Sequence, residues 1–444
     1  MGTGGGDGDS QRPGPAASET ARPHGDLEAA GAAVRTAEAA GPFAPVAVLI
    51  GIGLFFGGLG WPGLIGRIPF GLLLKNELGL PAQQVAWFWA AGTAAWYVKP
   101  AVGLLCDAWP LFGTRRRGYL VLGAATASAG WLAFGLVPRR FGGLLAAMTI
   151  VNLGLVMVSA AIGGLLVEEG QRRGATGRLS ALRTGLEGAM YLAAGPIGGA
   201  LALVPLTVAS GVGAAIVGVI LPAALLLARE SGHASGDHRV WREARRALAT
   251  IARSRPMWAA TLLIFVVFVT PGLQTPLLYY QQDVLKLSAR VMGVLQLAGG
   301  AGAILGAFGY AWLCRRLPLR TTLVGGLCLS AGAALAYLGY RSATAAVAID
   351  FLAGLTGAIG TLPIFDLATR AAPRGCESLA FALMMSVRTV ALFVLSDPLG
   401  SMVYERFGRG FRELVLVNAG STLVGLLFVL LVPRALLAGR EGQR

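Results

Sequence analysis

The sequence is short of charge. Only 13% of its 444 residues are Asp, Glu, Lys or Arg, and lysine occurs only at positions 75, 99 and 286. A soluble domain carries roughly twice that charge density, so a soluble enzyme or binding module is excluded. Histidine is nearly absent. His24, His233 and His238 all stand in polar segments, which excludes haem ligation by intramembrane histidine. Cys106, Cys314, Cys328 and Cys376 form no Cys-x-x-Cys pair, so neither a disulfide framework nor a zinc site follows. There is no phosphate-binding P-loop, so ATP is not the driving force. No paired-Asp metal motif is present either. The expectation is a protein without a cofactor that is not an enzyme.

What is abundant is apolar sequence. Hydrophobic residues make up 55% of the chain, mean hydropathy is +0.66, and there are 65 glycines. Glycines inside apolar runs suit membrane helices, whose backbones approach closely at small residues. The formal charge of +15 does not point to nucleic acid. The arginines cluster in short loops between apolar runs, where membrane proteins carry cations for topology.

Residues 1–43 read as a disordered tail, too acidic for a targeting peptide. About twelve spans follow, near 44–70, 84–106, 118–138, 141–167, 178–202, 205–228, 257–280, 289–314, 321–340, 344–369, 377–402 and 412–437. Each is close to the roughly 20 residues that cross a bilayer as helix, and too long for a barrel strand. The expected fold class is all-α integral membrane. The polar stretch 229–256 divides the chain into six-span halves, 44–228 and 257–438, with a short tail at 439–444. Part of that linker, WREARRALATIARSRP, has the pattern of an amphipathic helix. Loops bearing Arg115–Arg117, Arg172, Arg173, Arg178, Arg239–Arg255, Arg315, Arg316, Arg320, Arg370 and Arg374 are the richer in cations. They are expected to face the cytoplasm, with both termini. A cell membrane, specifically a bacterial inner membrane, is the expected location.

The halves look alike. LLLKNELGLPAQQV leads to GLLCDAWPLFGTRR, and TPLLYYQQDVLKLSARV leads to YAWLCRRLPLRTT, with Cys106 and Cys314 at matching places. Such repeats mark transporters whose site lies between the halves near the midplane.

Several charges fall inside spans, where each costs on the order of 2.5–3.5 kcal/mol unless it meets a partner or cavity. At 1.5 Å per residue, Arg388 lies about 16 Å and Lys99 about 12 Å from the cytoplasmic end. Glu187 lies at a similar depth, one turn beyond Arg183, and Asn152 sits near the middle of the fourth span. Two readings of Lys99 and Arg388 stand: cations of a cavity, or permanent partners of Glu187, Asp397 or a helix C-terminus. Glu187 is either a proton-coupling carboxylate or an i,i+4 partner of Arg183. Asp366 with Arg370 offers the same choice. Pro62, Pro69, Pro271 and Pro276 suit kinks in the first and seventh spans, and Arg67 among them is explained by snorkelling to the nearby interface.

The run Gly103–Arg116 resembles the loop between the second and third helices of the major facilitator superfamily. KNELGLPAQQV and KPAVGLLCDAWPLFGTRRRGYL together resemble the folate-biopterin transporter family. Pro373, Gly375, Glu377, Phe381, Ala382, Met385 and Ser386 are similar to that family's entry into helix eleven. LLVEEGQRRGATGRLSALR keeps Glu168 and Gly177, but has Gly163 where the family has Asp, and Ser180 and Thr184 where it has Gln and Trp. The resemblance implies that helices two and eleven face each other, so that Lys99 and Arg388 flank one cavity. It implies an organic anion, folate- or pterin-like, held with Asn152, Trp96 and Tyr97, and taken up by a monomer with protons in a lipid bilayer. It also implies a cytoplasmic gate of Asp107, Arg115, Arg116, Glu168 and Arg172. The alternatives are an exporter of hydrophobic compounds on the same fold, or a membrane scaffold.

Overall fold

The computed structural model describes Gly2 and residues 43–114, 116–172, 176–228, 238–374 and 376–437. The predicted N-terminal tail up to residue 42 (Gly2 apart), linker residues 229–237, the C-terminal tail, Arg115, Arg173 and Gly375 lie outside these, as does the side chain of Asp107. Among the described residues the regular secondary structure is helical, joined by turns and short loops, with one isolated bridge, Leu111 to Thr114.

Chain order gives α1 (Phe43–Leu59), α2 (Arg67–Leu72), α3 (Ala82–Gly92), α4 (Lys99–Ala108), α5 (Arg117–Leu136), α6 (Phe141–Arg172) and α7 (Thr176–Leu201). Next come α8 (Leu206–Gly218), α9 (Ile220–Leu227), α10 (His238–Arg253), α11 (Arg255–Phe268), α12 (Gln274–Asp283) and α13 (Ala289–Arg316). The chain ends with α14 (Leu319–Ala336), α15 (Ala343–Ala371), α16 (Glu377–Val390), α17 (Asp397–Arg406), α18 (Phe411–Val429) and α19 (Arg434–Leu437).

Among the described residues, eight continuous segments are long and apolar enough to cross a membrane: α5, α6, α8–α9, α13, α14, α15, α16–α17 and α18. The other four predicted windows are helical but interrupted or more polar. In the first, α1 stops at Leu59 and the helix restarts at Arg67. In the second, a 3₁₀ turn (Ala94–Val98) separates α3 from α4. In the seventh, residues 269–273 part α11 from α12. The fifth window is the continuous α7, whose Arg178, Arg183 and Glu187 dilute its hydropathy. The eleventh is continuous only through a π-helical segment, Ala391–Ser396. Helix starts follow local chemistry. Ser254, Ser288 and Ser342 accept from the N–H three residues on, and Pro100, Pro256 and Pro398 stand in first turns, where proline costs no hydrogen bond.

The unbroken helices pack tightly. α13 lies along both α15 and α7, and α5 along α6 and α8. Where α7 meets α13 the backbones nearly touch: a Cβ on Gly195 would stand 2.4 Å from the Gly293 carbonyl oxygen. Only glycine permits that approach.

Polar links between residues before the linker and residues after it gather at the end of the bundle that carries Asp283. Lys75 Nζ pairs with Asp283, whose other oxygen accepts from Arg409 at 3.2 Å. The Gln83 N–H donates to Glu405 Oε1 at 2.9 Å, and the Tyr279 hydroxyl donates to the Leu80 carbonyl. One layer deeper, Arg67 Nη2 donates to Thr275 Oγ1 (3.2 Å) and Asp397 Oδ2 (3.4 Å). Below that, Gln296 Nε2 reaches the Leu64 carbonyl at 3.4 Å. Arg67 is therefore not simply snorkelling. Its guanidinium also lies 4.8 Å from the Trp89 ring centroid.

Candidate functional site: cations and aromatics at the helix breaks

The interruptions of four spans meet. Trp61 stands in the gap between α1 and α2, Trp96 in the 3₁₀ turn before α4, and Phe393 in the π segment after α16. The Trp61 ring is edge-on to Trp96 at 6.3 Å and to Phe393 at 6.0 Å. The gap between α11 and α12 is bonded to the same π segment: the Gly272 N–H donates to the Ser396 carbonyl at 2.8 Å, and Ser396 Oγ donates to the Thr270 carbonyl. A Cβ on Gly400 would lie 1.8 Å from the Gly272 carbonyl oxygen, so this contact also needs glycine. Unwound and π-helical segments within membrane spans occur where backbone lines a site or a moving joint.

Asn152, on α6, is fully buried and organises the aromatic pair. Its Oδ1 accepts from Trp96 Nε1 at 2.7 Å and from Trp61 Nε1 at 3.0 Å, while its Nδ2 donates to the Met148 carbonyl at 2.9 Å. Both indole donors are thereby consumed, and the rings offer only their π faces to anything else. Tyr97 is similarly committed. Its hydroxyl donates to the Ala90 carbonyl at 2.6 Å and lies 3.1 Å from Thr93 Oγ1.

The cations flank these breaks. Lys99 is the first residue of α4, immediately after the 3₁₀ turn. Its ammonium donates to Ser159 Oγ at 2.8 Å and lies 5.3 Å from the Trp96 ring centroid. Arg388 occupies the last turn of α16, just before the π segment. Its guanidinium lies 4.5 Å from the Phe268 centroid and 5.4 Å from that of Phe365, and its buried Nε has no hydrogen-bond acceptor. α16 packs on both the 3₁₀ turn and α4, so the two cations stand on touching segments. Neither is ion-paired to Glu187 or Asp397 among the described residues. Asp397 instead accepts from Arg67, from the Thr275 N–H at 2.8 Å and from Thr275 Oγ1 at 2.6 Å.

Glu187 accepts from Arg183 Nε at 2.8 Å, and both side chains are about half exposed. Arg183 and Glu187 are the charged neighbours of Lys99; Glu187 and Arg388 are those of Tyr191. Lys99, Glu187, Tyr191 and Arg388 thus form one electrostatic neighbourhood. Asp366 takes a two-point grip from Arg370, at 2.9 and 2.7 Å.

At the opposite end of the bundle, Arg116 Nη2 donates to Glu168 Oε1 at 2.8 Å. The guanidinium lies over Gly164, where a Cβ would stand 2.2 Å from Cζ. Arg172 pairs with Glu169, its neighbour one turn back, at 3.2 Å. Of the predicted gate, Arg116, Glu168 and Arg172 are placed here, while Arg115 and the Asp107 carboxylate lie outside the described residues. A Cβ on Gly163 would meet no atom within 4 Å. Sequence reasoning named Arg67 and Asp397 without pairing them and missed Thr275 and Ser396; their partners are 120 to 330 residues away.

Comparison with known proteins agrees with this architecture. Residues 64–443 match the model of the BT1 family. The chain belongs to the BT1 family. It is 29% identical over 390 residues to a folate-biopterin transporter of Synechocystis sp., covering 83% of this chain and 78% of that protein. It is 23% identical to the probable folate-biopterin transporter 4 of Arabidopsis thaliana, over 81% of this chain and 90% of that one. Solved transporters share the fold. A peptide transporter POT in complex with sulfate superposes with a TM-score of 0.67 at 15% identity, covering 89% of this chain and 96% of its own. The nucleoside transporter NupG gives 0.65 at 12% identity, covering 87% and 98%. This BT1-family chain is therefore a multi-pass membrane transporter of major-facilitator-like fold, and not an enzyme.

Proposed function

We propose that this BT1-family protein is a secondary active transporter of a small organic anion of the folate or pterin class, working by alternating access between two six-span halves. The observation that carries this reading is the pair Lys99 and Arg388. They stand on touching segments beside aromatic faces, without a carboxylate partner among the described residues. A desolvated cation in a membrane protein needs a counter-charge, and a substrate carboxylate supplies it. Guanidinium groups hold carboxylates in a two-point grip, and the π faces of Trp61 and Trp96 suit a flat ring. The names of the Synechocystis and Arabidopsis relatives point to the same class.

In this cycle the links at the Asp283 end close one side of the site, and they must break for it to open there. Glu187, beside Lys99 and Arg183, is the carboxylate placed to exchange a proton as substrate charge arrives; Asp366 is the second candidate. The cation-rich end faces the cytoplasm of the cell that carries it. The protein works as a monomer.

Uptake of labelled folate and pterin into proteoliposomes, with and without an imposed pH gradient, tests the reading. K99A and R388A are each expected to abolish uptake, and E187Q to uncouple it from the gradient. Wild-type rates in both cation variants would refute the anion site. A second reading, export of hydrophobic compounds, is favoured by the saturated indole N–H groups, which leave an apolar aromatic wall. A drug-susceptibility panel on a deletion strain separates the two.

A further inference from the structure

The amphipathic linker helix α10 plays no part in the site above. Its axis turns by 77° from that of α11, so it lies along the end of the bundle while α11 enters it. One face is apolar and faces the protein. Ala244 and Ile251 are buried, and Ile251 joins a core with Leu319, Leu367, Ala371 and Cys376. The opposite side carries Arg246 and Arg253, seven residues apart and hence on one stripe. Both are exposed, and neither makes an ion pair among the described residues.

These two arginines line an open pocket of about 550 Å³ with Ala249, Thr250, Ser254 and Pro373. No acidic residue lines it. The one carboxylate among the described residues of α10, Glu243, lies off its wall. Ser254 also caps α11, accepting from the Met257 N–H at 3.4 Å. The pocket is therefore bounded by two unpaired guanidinium groups, the Ser254 hydroxyl and the start of α11, which favour an anion, while the Thr250 hydroxyl donates to the Arg246 carbonyl at 3.0 Å.

Its depth is marked by Trp258. That indole is 53% exposed, and its N–H donates to the Ala252 carbonyl at 3.1 Å. It ties the end of α10 to the first turn of α11. An exposed tryptophan at the start of a membrane span sits at the level of lipid headgroups. Ser254 stands one turn before it, its carbonyl accepting from the Trp258 backbone N–H at 3.1 Å, and Arg253 adjoins Ser254, which brings the pocket close to that level.

We propose that this pocket is a binding site for a phosphate group, that of an anionic phospholipid headgroup, held between Arg246 and Arg253. It lies outside the transport site and takes a different ligand. Bound lipid would fasten α10, and through Ile251 the core beneath it, to the membrane surface.

Native mass spectrometry and thermal unfolding of the purified full-length protein in detergent test this, with dioleoyl phosphatidylglycerol, dioleoyl phosphatidylcholine and inorganic phosphate as separate probes. The wild type is expected to retain and be stabilised by phosphatidylglycerol over phosphatidylcholine. R246Q and R253Q should each weaken retention on the order of tenfold, as loss of a charge-assisted contact does. R245Q/R320Q removes two exposed arginines outside the pocket and should leave the preference intact. Equal loss in R245Q/R320Q and R246Q/R253Q would reduce the effect to diffuse charge and overturn the site. Equal stabilisation by inorganic phosphate would overturn the lipid as its source. Absence of any preference for phosphatidylglycerol in the wild type would overturn the proposal outright.

Discussion

Asn152→Leu is the sharpest single perturbation. The leucine matches the amide in size but accepts no hydrogen bond. Two indole N–H groups, now 2.7 and 3.0 Å from Oδ1, would lose their acceptor beside a side chain with no solvent exposure. A buried orphan donor costs about 1–3 kcal/mol, so the pair costs about 2–6 kcal/mol if neither ring finds another partner. A double-mutant cycle isolates that amount. In a W61F/W96F background both donors are gone, and Asn152→Leu should then cost little. The difference between backgrounds is the coupling, expected at about 2–6 kcal/mol, falling towards the lower figure if a ring finds another acceptor. Thermal unfolding in detergent gives the stabilities, and concentration-dependent uptake gives the functional consequence. The rings should lose their fixed orientation, so KM should rise more than the maximal rate falls. Equal costs in the two backgrounds would refute the reasoning, because the amide would then act on something other than the indoles.

Other outcomes follow from the same geometry. Asp397→Asn removes the charge that Arg67 and Thr275 share. Spin labels at positions 84 and 406 should then move apart in pulsed-EPR distance distributions, and unchanged distances in both D397N and R67A would remove this cluster from the closure. Gly400→Ala places a Cβ 1.8 Å from the Gly272 oxygen and should collapse the monodisperse peak in size-exclusion chromatography. Gly420→Ala, whose Cβ meets nothing within 4 Å, should not. Arg116→Ala breaks a buried donor's bond to the half-exposed Glu168 and should lower stability by about 1–3 kcal/mol. Gly164→Ala should do the same by displacing the guanidinium, and an unchanged unfolding temperature in both would contradict that contact.

How much the sequence disclosed depends on the range of the physics involved. Hydropathy is local, so each window expected to span is helical in the structure, and Ser254, Ser288 and Ser342 mark starts that capping alone predicts. The i,i+4 pairs Arg183–Glu187 and Arg370–Asp366 were equally legible, because helix geometry fixes them. The breaks were only half visible. Pro62 and Pro271 stand in two of them, but ALFVLS at 391–396 is a plain apolar run, and its π geometry accompanies the bonds joining Ser396 to Thr270 and Gly272. The least visible features are long-range. Arg67 looked like an interfacial arginine because Asp397 is 330 residues away. Asn152 stands out in the sequence by depth alone, because nothing near it there reveals that two indoles bond its oxygen.

The contrast between unbroken and broken spans bears on how the protein moves. α13 with α7 and α15, and α5 with α6, pack at glycines so closely that an added methyl group would collide with backbone. Such interfaces are stiff, because a close-packed contact does not deform gradually. The first, second, seventh and eleventh spans, by contrast, change helical form at one level. There they hold the aromatic cluster, Lys99 and Arg388, while polar links join them at the Asp283 end. In the proposed cycle of alternating access, α5 with α6 stiffens the first half and α13 with α15 the second, while α7 and α13 form a close glycine contact between the halves. If the proposed anion site holds, the broken spans bend where the substrate carboxylate meets Lys99 and Arg388. Neutralising Arg388 with a substrate carboxylate would act one turn from the π segment that is bonded to Thr270 and Gly272. Four residues beyond Gly272 and Ser396 respectively lie Pro276 and Gly400, at the starts of α12 and α17, the helices that carry the closing links. The shortest physical route from site to closure therefore runs through Ser396. Ser396→Ala deletes only its hydroxyl donor to Thr270. It is expected to leave substrate affinity near wild type while slowing uptake. A wild-type maximal rate in S396A would show that the closure is not driven through this joint.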